Sequence, residues 1–225
     1  MPVLYGSRRS RASRNLWLQE EAGFEMELRP VWQAYRLDDP EAEGAPLNTR
    51  SPEFKAIWPM GGIPVLVDGE LTLGESLAIN LYLAKSYGGE LGPEDEAEAA
   101  RMTQWALFGA TAVEAPAIGI LNVYLDGRQD SDAGRQEIAD HAERLHRPLK
   151  ALEAHLGTRL WMVGSRFTVA DINMAEIVRY AQAEPDLLAV HPAVDGWLRT
   201  CQARPGFQAM WAKREAEPVR PEVGA

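Results

Sequence analysis

Two dipeptides carry the most legible chemistry in this chain of 225 residues, Ile63-Pro64 and Glu75-Ser76. Pro64 opens the apolar run Val65-Leu66-Val67, at the first strand position, where its missing N–H is tolerated. A cis Ile63–Pro64 bond would turn the Ile63 backbone outward, leaving its N–H and C=O to pair with an extended peptide. Glu75-Ser76 falls between the strand-like Leu71-Thr72-Leu73 and the helical pattern from Leu77 to Leu83. The Ser76 hydroxyl and amide then stand at a helix N-terminus, where partial positive charge attracts a carboxylate. The Glu75 carboxylate beside them accepts from an ammonium. Adjacent anion and cation sites suit the zwitterionic end of an amino acid; the plainer reading of Glu75-Ser76 is a helix cap.

The other reactive residue types offer less. His141, His146 and His155 lie in one amphipathic pattern without metal-ligand spacing, and His191-Pro192 reads as a loop before a helix, so no metal is expected. Cys201 is the single cysteine, which excludes an intrachain disulfide, a CxxC redox pair and a cysteine-rich zinc site. With Trp197 and Leu198 beside it, Cys201 reads as core.

The elements that must position these residues change character near residue 88. Before it, Val3-Leu4-Tyr5 and the alternating Phe24–Leu28 read as strands around a helix from near Ser13 to Gly23. Val65–Val67 and Leu71–Leu73 read as a hairpin about Asp68-Gly69. A helix then runs to Gly88-Gly89. The order β-α-β, an irregular connection over 36–59 with one helical turn at Ser51-Pro52-Glu53, then β-β-α, makes a small mixed sheet with helices against it. Residues 88–96 read as an acidic linker. Residues 97–217 are helical throughout, with an expected break at Pro116 and an apolar stripe Ile138, Leu145, Leu149, Leu152, Leu156 that encloses Pro148 and stops at Gly157. Thr168-Val169-Ala170-Asp171 is a capping box between the staple residues Phe167 and Ile172. Residues 218–225 read as a tail.

Composition narrows the partners. With 46% hydrophobic residues the chain buries a sizeable core, and 19 Gly plus 15 Pro are too few and dispersed for a low-complexity protein. Its 23 Lys+Arg against 33 Asp+Glu give a net charge of −10, which argues against a broad nucleic-acid surface. No apolar run of membrane length is expected, and Arg8-Arg9 lacks the apolar segment of a twin-arginine signal, so a soluble cytoplasmic chain is the expectation. Arg8, Arg9, Arg11 and Arg14 form the densest positive run, readable as a solvated face or as a local attractor of anions.

Taken in order, Leu4-Tyr5-Gly6-Ser7, Ser10–Leu18, Ile63-Pro64-Val65-Leu66, Leu73–Ile79, Tyr82-Leu83 and Phe167–Ile172 resemble the glutathione S-transferase superfamily over nearly the whole chain. The resemblance implies a thioredoxin-like α/β N-terminal domain over 1–87, an all-α C-terminal domain over 97–217, and a homodimer. It implies that Ile63 and a cis Pro64 hold the cysteinyl backbone of glutathione, that Glu75 and Ser76 bind its γ-glutamyl end, and that its sulfur lies near Ser10–Ser13. A thiol of pKa near 8.5 needs about 2.7 kcal/mol of thiolate stabilisation to drop by roughly two units. Ser10 is the expected hydroxyl donor, with Tyr5 and Ser13 as alternatives. The Arg run would then draw anionic glutathione to the helix start, with Arg14 alternatively a structural ion-pair partner. Trp105 and Phe108, with Leu121 and Tyr124, would line the electrophile pocket or form ordinary interhelical core.

Two departures from the family pattern stand out. Trp58-Pro59 and Gly61-Gly62 replace the common Asn-Pro and the basic residue ahead of the cis-proline pair. The glycyl carboxylate is thus left to Lys55, Arg50 or Arg11. The resemblance implies glutathione as cosubstrate, no metal, and a small hydrophobic electrophile as partner. A glutathione-dependent disulfide reductase or peroxidase is the enzymatic alternative, and a noncatalytic dimerisation or assembly module the contrasting class.

Overall fold

The computed structural model describes residues 1–221; part of the expected tail, 222–225, lies outside the described residues. The chain forms two compact units, Met1–Gly89 together with the segment from Pro205 onward, and Glu90–Arg204.

The first unit is built on a four-stranded sheet in the order β2-β1-β3-β4. Strand β1 (Val3–Gly6) runs parallel to β2 (Glu27–Pro30) and antiparallel to β3 (Val65–Asp68), which pairs with β4 (Leu71–Leu73). The second strand starts at Glu27 rather than Phe24, because β1 register pairs Val3 with Glu27 while Phe24 stacks on Tyr87 at 5.7 Å. The hairpin loop is Gly69-Glu70, one residue later than the expected Asp68-Gly69, since Asp68 pairs with Leu71. Gly69 takes φ of 59°, the left-handed conformation that glycine adopts without a steric penalty.

Side-chain alternation sends Tyr5 and Val65 to one face of this sheet and Leu4 and Leu66 to the other. Helix α2 (Pro52–Ile57) follows the Ser51-Pro52 start and drops Phe54 onto the Tyr5 face, in a cluster with Val31 and Val65. Helices α1 (Ser13–Ala22) and α3 (Ser76–Tyr87) pack on each other. The C-terminal helix α10 (Pro205–Ala216) returns to this unit against α1, with Phe207 edge-on to buried Trp17 at 4.9 Å. Periodicity alone groups that helix with the 97–217 segment, whereas its contacts place it in the first unit.

In the second unit, α4 (Glu96–Phe108) runs through a π-helical segment, Gly109–Val113, into α5 (Glu114–Leu125). The expected break at Pro116 therefore falls earlier. A proline ring collides with the carbonyl four residues back, here Ala112, and the wider π turn moves that carbonyl aside. Glu96–Leu125 is a 30-residue helix with a window of mean hydropathy 1.5, long and apolar enough to cross a membrane by length and composition. This corrects the expectation that no such run exists. In the fold it packs against α6 (Asp132–Leu156) and α7 (Val169–Val178), with Val113, Ala117, Ile120 and Val123 fully buried.

Helix α6 continues through Pro148, and its whole predicted stripe is buried. It ends at Gly157 without a left-handed cap, φ being −62°. The capping box forms as expected: Thr168 N–H donates to Asp171 Oδ2 at 3.0 Å and heads α7. Short α8 (Pro185–Ala189) and then α9 (Pro192–Gln202), which buries Trp197, Leu198 and Cys201, complete the unit.

Candidate functional site

The end of β1, the start of α1 and Pro64 converge. A methyl group added to Gly6 would lie 3.1 Å from Ala12 Cβ and 3.6 Å from Pro64 Cβ, so a larger residue there would push these segments apart. The Ile63–Pro64 bond is cis. Strand pairing begins at Val65, and among the described residues neither the Ile63 N–H nor its carbonyl is bonded. Ile63 thus offers a free donor and acceptor beside the helix start.

Glu75 and Ser76 come together at the head of α3. Glu75 has φ of 63° and ψ of 106°, a region that costs a non-glycine residue on the order of 1–3 kcal/mol and persists where surroundings impose it. Its side chain is exposed and does not cap the helix, so the plain-cap reading does not describe it. One of those surroundings is Trp58: a Cβ on Gly74 would fall 2.4 Å from the indole ring, so glycine is required for the turn to pass under Trp58. The buried Ser76 hydroxyl accepts from Arg14 Nη1 at 3.0 Å, and Arg14 is itself 1% exposed. Asn15 Nδ2 donates to the Ser76 carbonyl at 2.9 Å and to Asn80 Oδ1 at 2.7 Å, while Asn80 Nδ2 donates to the Arg14 carbonyl at 3.1 Å. This buried polar network locks α1 to α3 and fixes Ser76.

The roles of Asn15 and Asn80 are not apparent from the sequence pattern alone. Their signal was amide side chains set among Leu16, Trp17, Leu18 and Ile79, Leu81, positions that helical period assigns to the interior. Arg14 Nη1 donates to Ser76, which gives this buried arginine a structural role at the head of α3.

The three candidate hydroxyls occupy different surroundings. Ser10 Oγ donates to the Ser7 carbonyl at 2.7 Å and accepts the Ala12 N–H at 3.1 Å, holding the loop that enters α1. Ser13 is fully buried as the first residue of α1; the N-cap position belongs to Ala12, which has no side-chain cap bond. Tyr5 points into the Phe54 face of the sheet, and its hydroxyl accepts from Arg29 Nη1 at 2.9 Å.

The loop of Ser10 is also strapped from the C-terminal side. Glu217 accepts the backbone N–H groups of Arg8 and Arg9, both at 2.9 Å, and Arg9 Nε donates to the Glu217 carbonyl at 2.6 Å. Arg214 Nη1 donates to the Arg8 carbonyl at 2.7 Å. Part of the arginine run is thereby a structural clasp.

This geometry is that of a known family. Residues 3–85 match the model of the glutathione S-transferase N-terminal domain, and residues 113–205 match that of the C-terminal domain. The chain belongs to the glutathione S-transferase family. It is similar to Glutathione S-transferase 3 of Zea mays, 35% identical over 71% of this chain and 74% of that protein. It also resembles the solved structure of glutathione S-transferase I bound with the ligand lactoylglutathione, with a TM-score of 0.76 and 28% identity over 94% of this chain and 98% of the other. Elongation factor 1-gamma of Equus caballus is 30% identical over 72% of this chain, which covers 37% of that longer protein. Membership places the chain among transferases whose family substrate is glutathione.

Ahead of Ile63 in this glutathione S-transferase stands the Gly61-Gly62 turn. A Cβ on Gly61 would meet the Thr49 carbonyl at 2.8 Å and Lys55 Cε at 3.8 Å, so the Lys55 side chain lies beside Gly61. Arg50 and Arg11 are both exposed. In the helical unit, Trp105 packs edge-on to Phe108 at 5.5 Å, Leu121 is half-buried, and Tyr124 donates its hydroxyl to Glu184 at 2.8 Å. Among the described residues no group of three or more His, Cys, Asp or Glu is arranged to hold a metal.

Proposed function

We propose that this protein is a soluble, cytoplasmic, homodimeric transferase that joins the thiolate of glutathione to a small hydrophobic electrophile. The observation that carries the reading is the head of α3, where left-handed Glu75 and buried, Arg14-anchored Ser76 stand in one unit with the cis Ile63–Pro64 bond. The Ile63 N–H and carbonyl pair with the cysteinyl backbone, Ser76 and the helix start take the γ-glutamyl carboxylate, and Glu75 takes its ammonium. Lys55, beside Gly61, takes the glycyl carboxylate. Trp105 and Phe108 contribute to the electrophile's surroundings.

The reaction needs the sulfur ionised. The thiol proton leaves to solvent, the sulfur pair forms the bond to the electrophilic carbon, and the leaving group departs with the displaced pair. Ser10 is the donor assigned to the thiolate. Its hydroxyl donates to the Ser7 carbonyl, and an anionic sulfur competes for that donor as a charge-assisted acceptor, roughly twice as strong as a neutral one. Tyr5 is the weaker assignment, because its hydroxyl is held on the opposite sheet face by Arg29.

Calorimetric titration of glutathione into wild type and Ser76→Ala tests the platform. Binding in the millimolar range or tighter, lost by about tenfold or more in the variant, is expected; no binding to wild type rejects the enzymatic reading. A thiolate absorbance titration then separates the donors: Ser10→Ala raises the bound thiol pKa by about one unit, while Tyr5→Phe leaves it in place.

The likeness to elongation factor 1-gamma favours a second reading, a noncatalytic assembly module. It is distinguished by the same titration, since a module without a working platform binds no glutathione. A glutathione-dependent disulfide reductase or peroxidase would use the same site on a different electrophile, and product analysis with a disulfide separates it from the transferase.

A further inference from the structure

Ser10 closes a turn whose two central residues are held from far along the chain. The Ser10 N–H donates to the Ser7 carbonyl at 3.0 Å and its hydroxyl to the same oxygen at 2.7 Å, so Arg8 and Arg9 form the middle of a β-turn. The main-chain N–H and carbonyl groups of such a central pair have no partner inside the turn. Here each one is taken from outside. Glu217 accepts both N–H groups at 2.9 Å, Arg214 Nη1 donates to the Arg8 carbonyl at 2.7 Å, and Arg36 Nη2 donates to the Arg9 carbonyl at 3.2 Å. Arg36 also reaches the Val219 carbonyl through Nη1 at 3.3 Å, and Arg220 pairs with Asp38 at 3.1 Å. Residues 214–220 therefore bind the turn of Ser10 and the start of the irregular connection together.

This segment has a firm root and a loose continuation. Helix α10 buries Phe207 and Met210 and packs on α1 through Phe207 and Trp17. Past its last residue, Ala216, the residues Pro218, Val219 and Arg220 are exposed, so the polar bonds just described hold them in place of buried apolar area. Segments held in this way open locally, at free energies well below that of global unfolding. The turn of Ser10 thus takes its shape from a part of the chain that can lift without exposing the core.

Two of these residues separate shape from charge. Through space, the Glu217 anion disfavours a thiolate nearby and the Arg36 cation favours it. Through the main chain they act alike, since Glu217 holds the N–H of Arg9 and Arg36 holds its carbonyl.

We propose that residues 214–220 position the thiolate donor Ser10, with Glu217 and Arg36 as positioning residues that act through the main chain of Arg8 and Arg9. The inference rests on the transferase reading, in which Ser10 donates to the bound sulfur. A fixed turn presents the Ser10 hydroxyl in one place. A loosened turn spreads it over several, and the hydrogen bond that favours the thiolate weakens with its distance and angle.

Thiolate absorbance titration of bound glutathione, in the full chain and in Glu217→Ala and Arg36→Gln, tests the proposal. Both variants should raise the bound thiol pKa by about half a unit or more, a factor of about three. By linkage, calorimetric affinity for glutathione should stay within about twofold below the bound thiol pKa and weaken by about threefold above the free thiol pKa. Shifts of opposite sign in the two variants are the signature of charge alone and overturn the proposal. A shift in only one variant, no shift in either, or an affinity loss of equal size at every pH overturns it as well. Glu217→Gln, which keeps one acceptor oxygen and loses the charge, replaces the alanine variant if that one does not fold, with the same sign expected. Wild type with a lowered bound thiol pKa that neither variant changes rejects the positioning role alone. Wild type that binds no glutathione rejects the transferase reading and the positioning role together.

Discussion

Glu217 and Arg9 hold each other twice: the Glu217 carboxylate accepts the Arg9 backbone N–H at 2.9 Å, and Arg9 Nε donates to the Glu217 carbonyl at 2.6 Å. The other carboxylate oxygen takes the Arg8 N–H, so the loop leading to Ser10 hangs on one acidic side chain 208 positions later in sequence. Glu217→Ala leaves two backbone donors to water and should cost on the order of 1–2 kcal/mol, the net value of charge-assisted bonds at a partly exposed site. Amide exchange of Arg8 and Arg9 should speed up by about tenfold, since roughly 1.4 kcal/mol is a factor of ten. Unchanged protection at these two amides would show that the loop holds its shape without the clasp.

The Gly74–Trp58 contact makes a separate prediction. Gly74→Ala places a methyl 2.4 Å from the indole, and neither the turn nor the ring can yield without disturbing Glu75. A loss of about 1–3 kcal/mol in urea unfolding is expected, with weaker glutathione binding. Trp58→Leu in the same chain should recover much of the binding, because it removes the obstructing ring. A double-mutant cycle showing strict additivity would mean that Trp58 does not set the Glu75 turn.

Much of this was legible in the residues themselves, and the exceptions have physical causes. Ile63-Pro64 and Glu75-Ser76 were readable because a proline at a strand start and a hydroxyl at a helix start are local signals. Thr168 to Asp171 was readable for the same reason, as its bonds close within four residues. Asn15, Asn80 and Glu217 were not, since their partners lie 61 to 209 positions away and no local pattern announces them. The break in the first long helix of the second unit was placed at Pro116, because proline is visible in sequence whereas the π segment that accommodates it is a property of the backbone. Helix α10 was grouped with the wrong neighbours by period alone, which tells that Phe207 is buried but not against which Trp.

Asn80 is the member of the α1–α3 network whose loss should be felt furthest. Asn80→Ala strips a partner from Asn15 Nδ2 and from the Arg14 carbonyl, both in a buried environment. About 2–3 kcal/mol of stability should go, the cost of stranding buried polar groups rather than of one net hydrogen bond. With Asn15 and Arg14 loosened, Ser76 loses its fixed position, so the glutathione KM should rise by more than kcat falls. A variant that unfolds more easily yet keeps the wild-type KM would restrict Asn80 to a purely structural role.

Asp171 supplies a pH signature. It is fully buried, and burial pushes its pKa from 3.8 up to about 6, although the Met162 N–H at 2.9 Å, the Trp197 Nε1–H at 3.0 Å and the Thr168 N–H at 3.0 Å all favour the carboxylate. A carboxyl whose folded pKa lies above its unfolded one binds more protons in the native state between the two values. Its contribution is therefore fully present below about pH 4 and is lost as pH rises to about 6, by on the order of 3 kcal/mol. Asp171→Asn cannot titrate, so the stability of wild type minus that of the variant, from urea unfolding at several pH values, should fall between pH 4 and 6 and stay level above. Weakening of the cap in the variant shifts the whole difference curve without changing its slope. A level difference across that window would mean that the three N–H donors outweigh burial and that Asp171 ionises in its ordinary range.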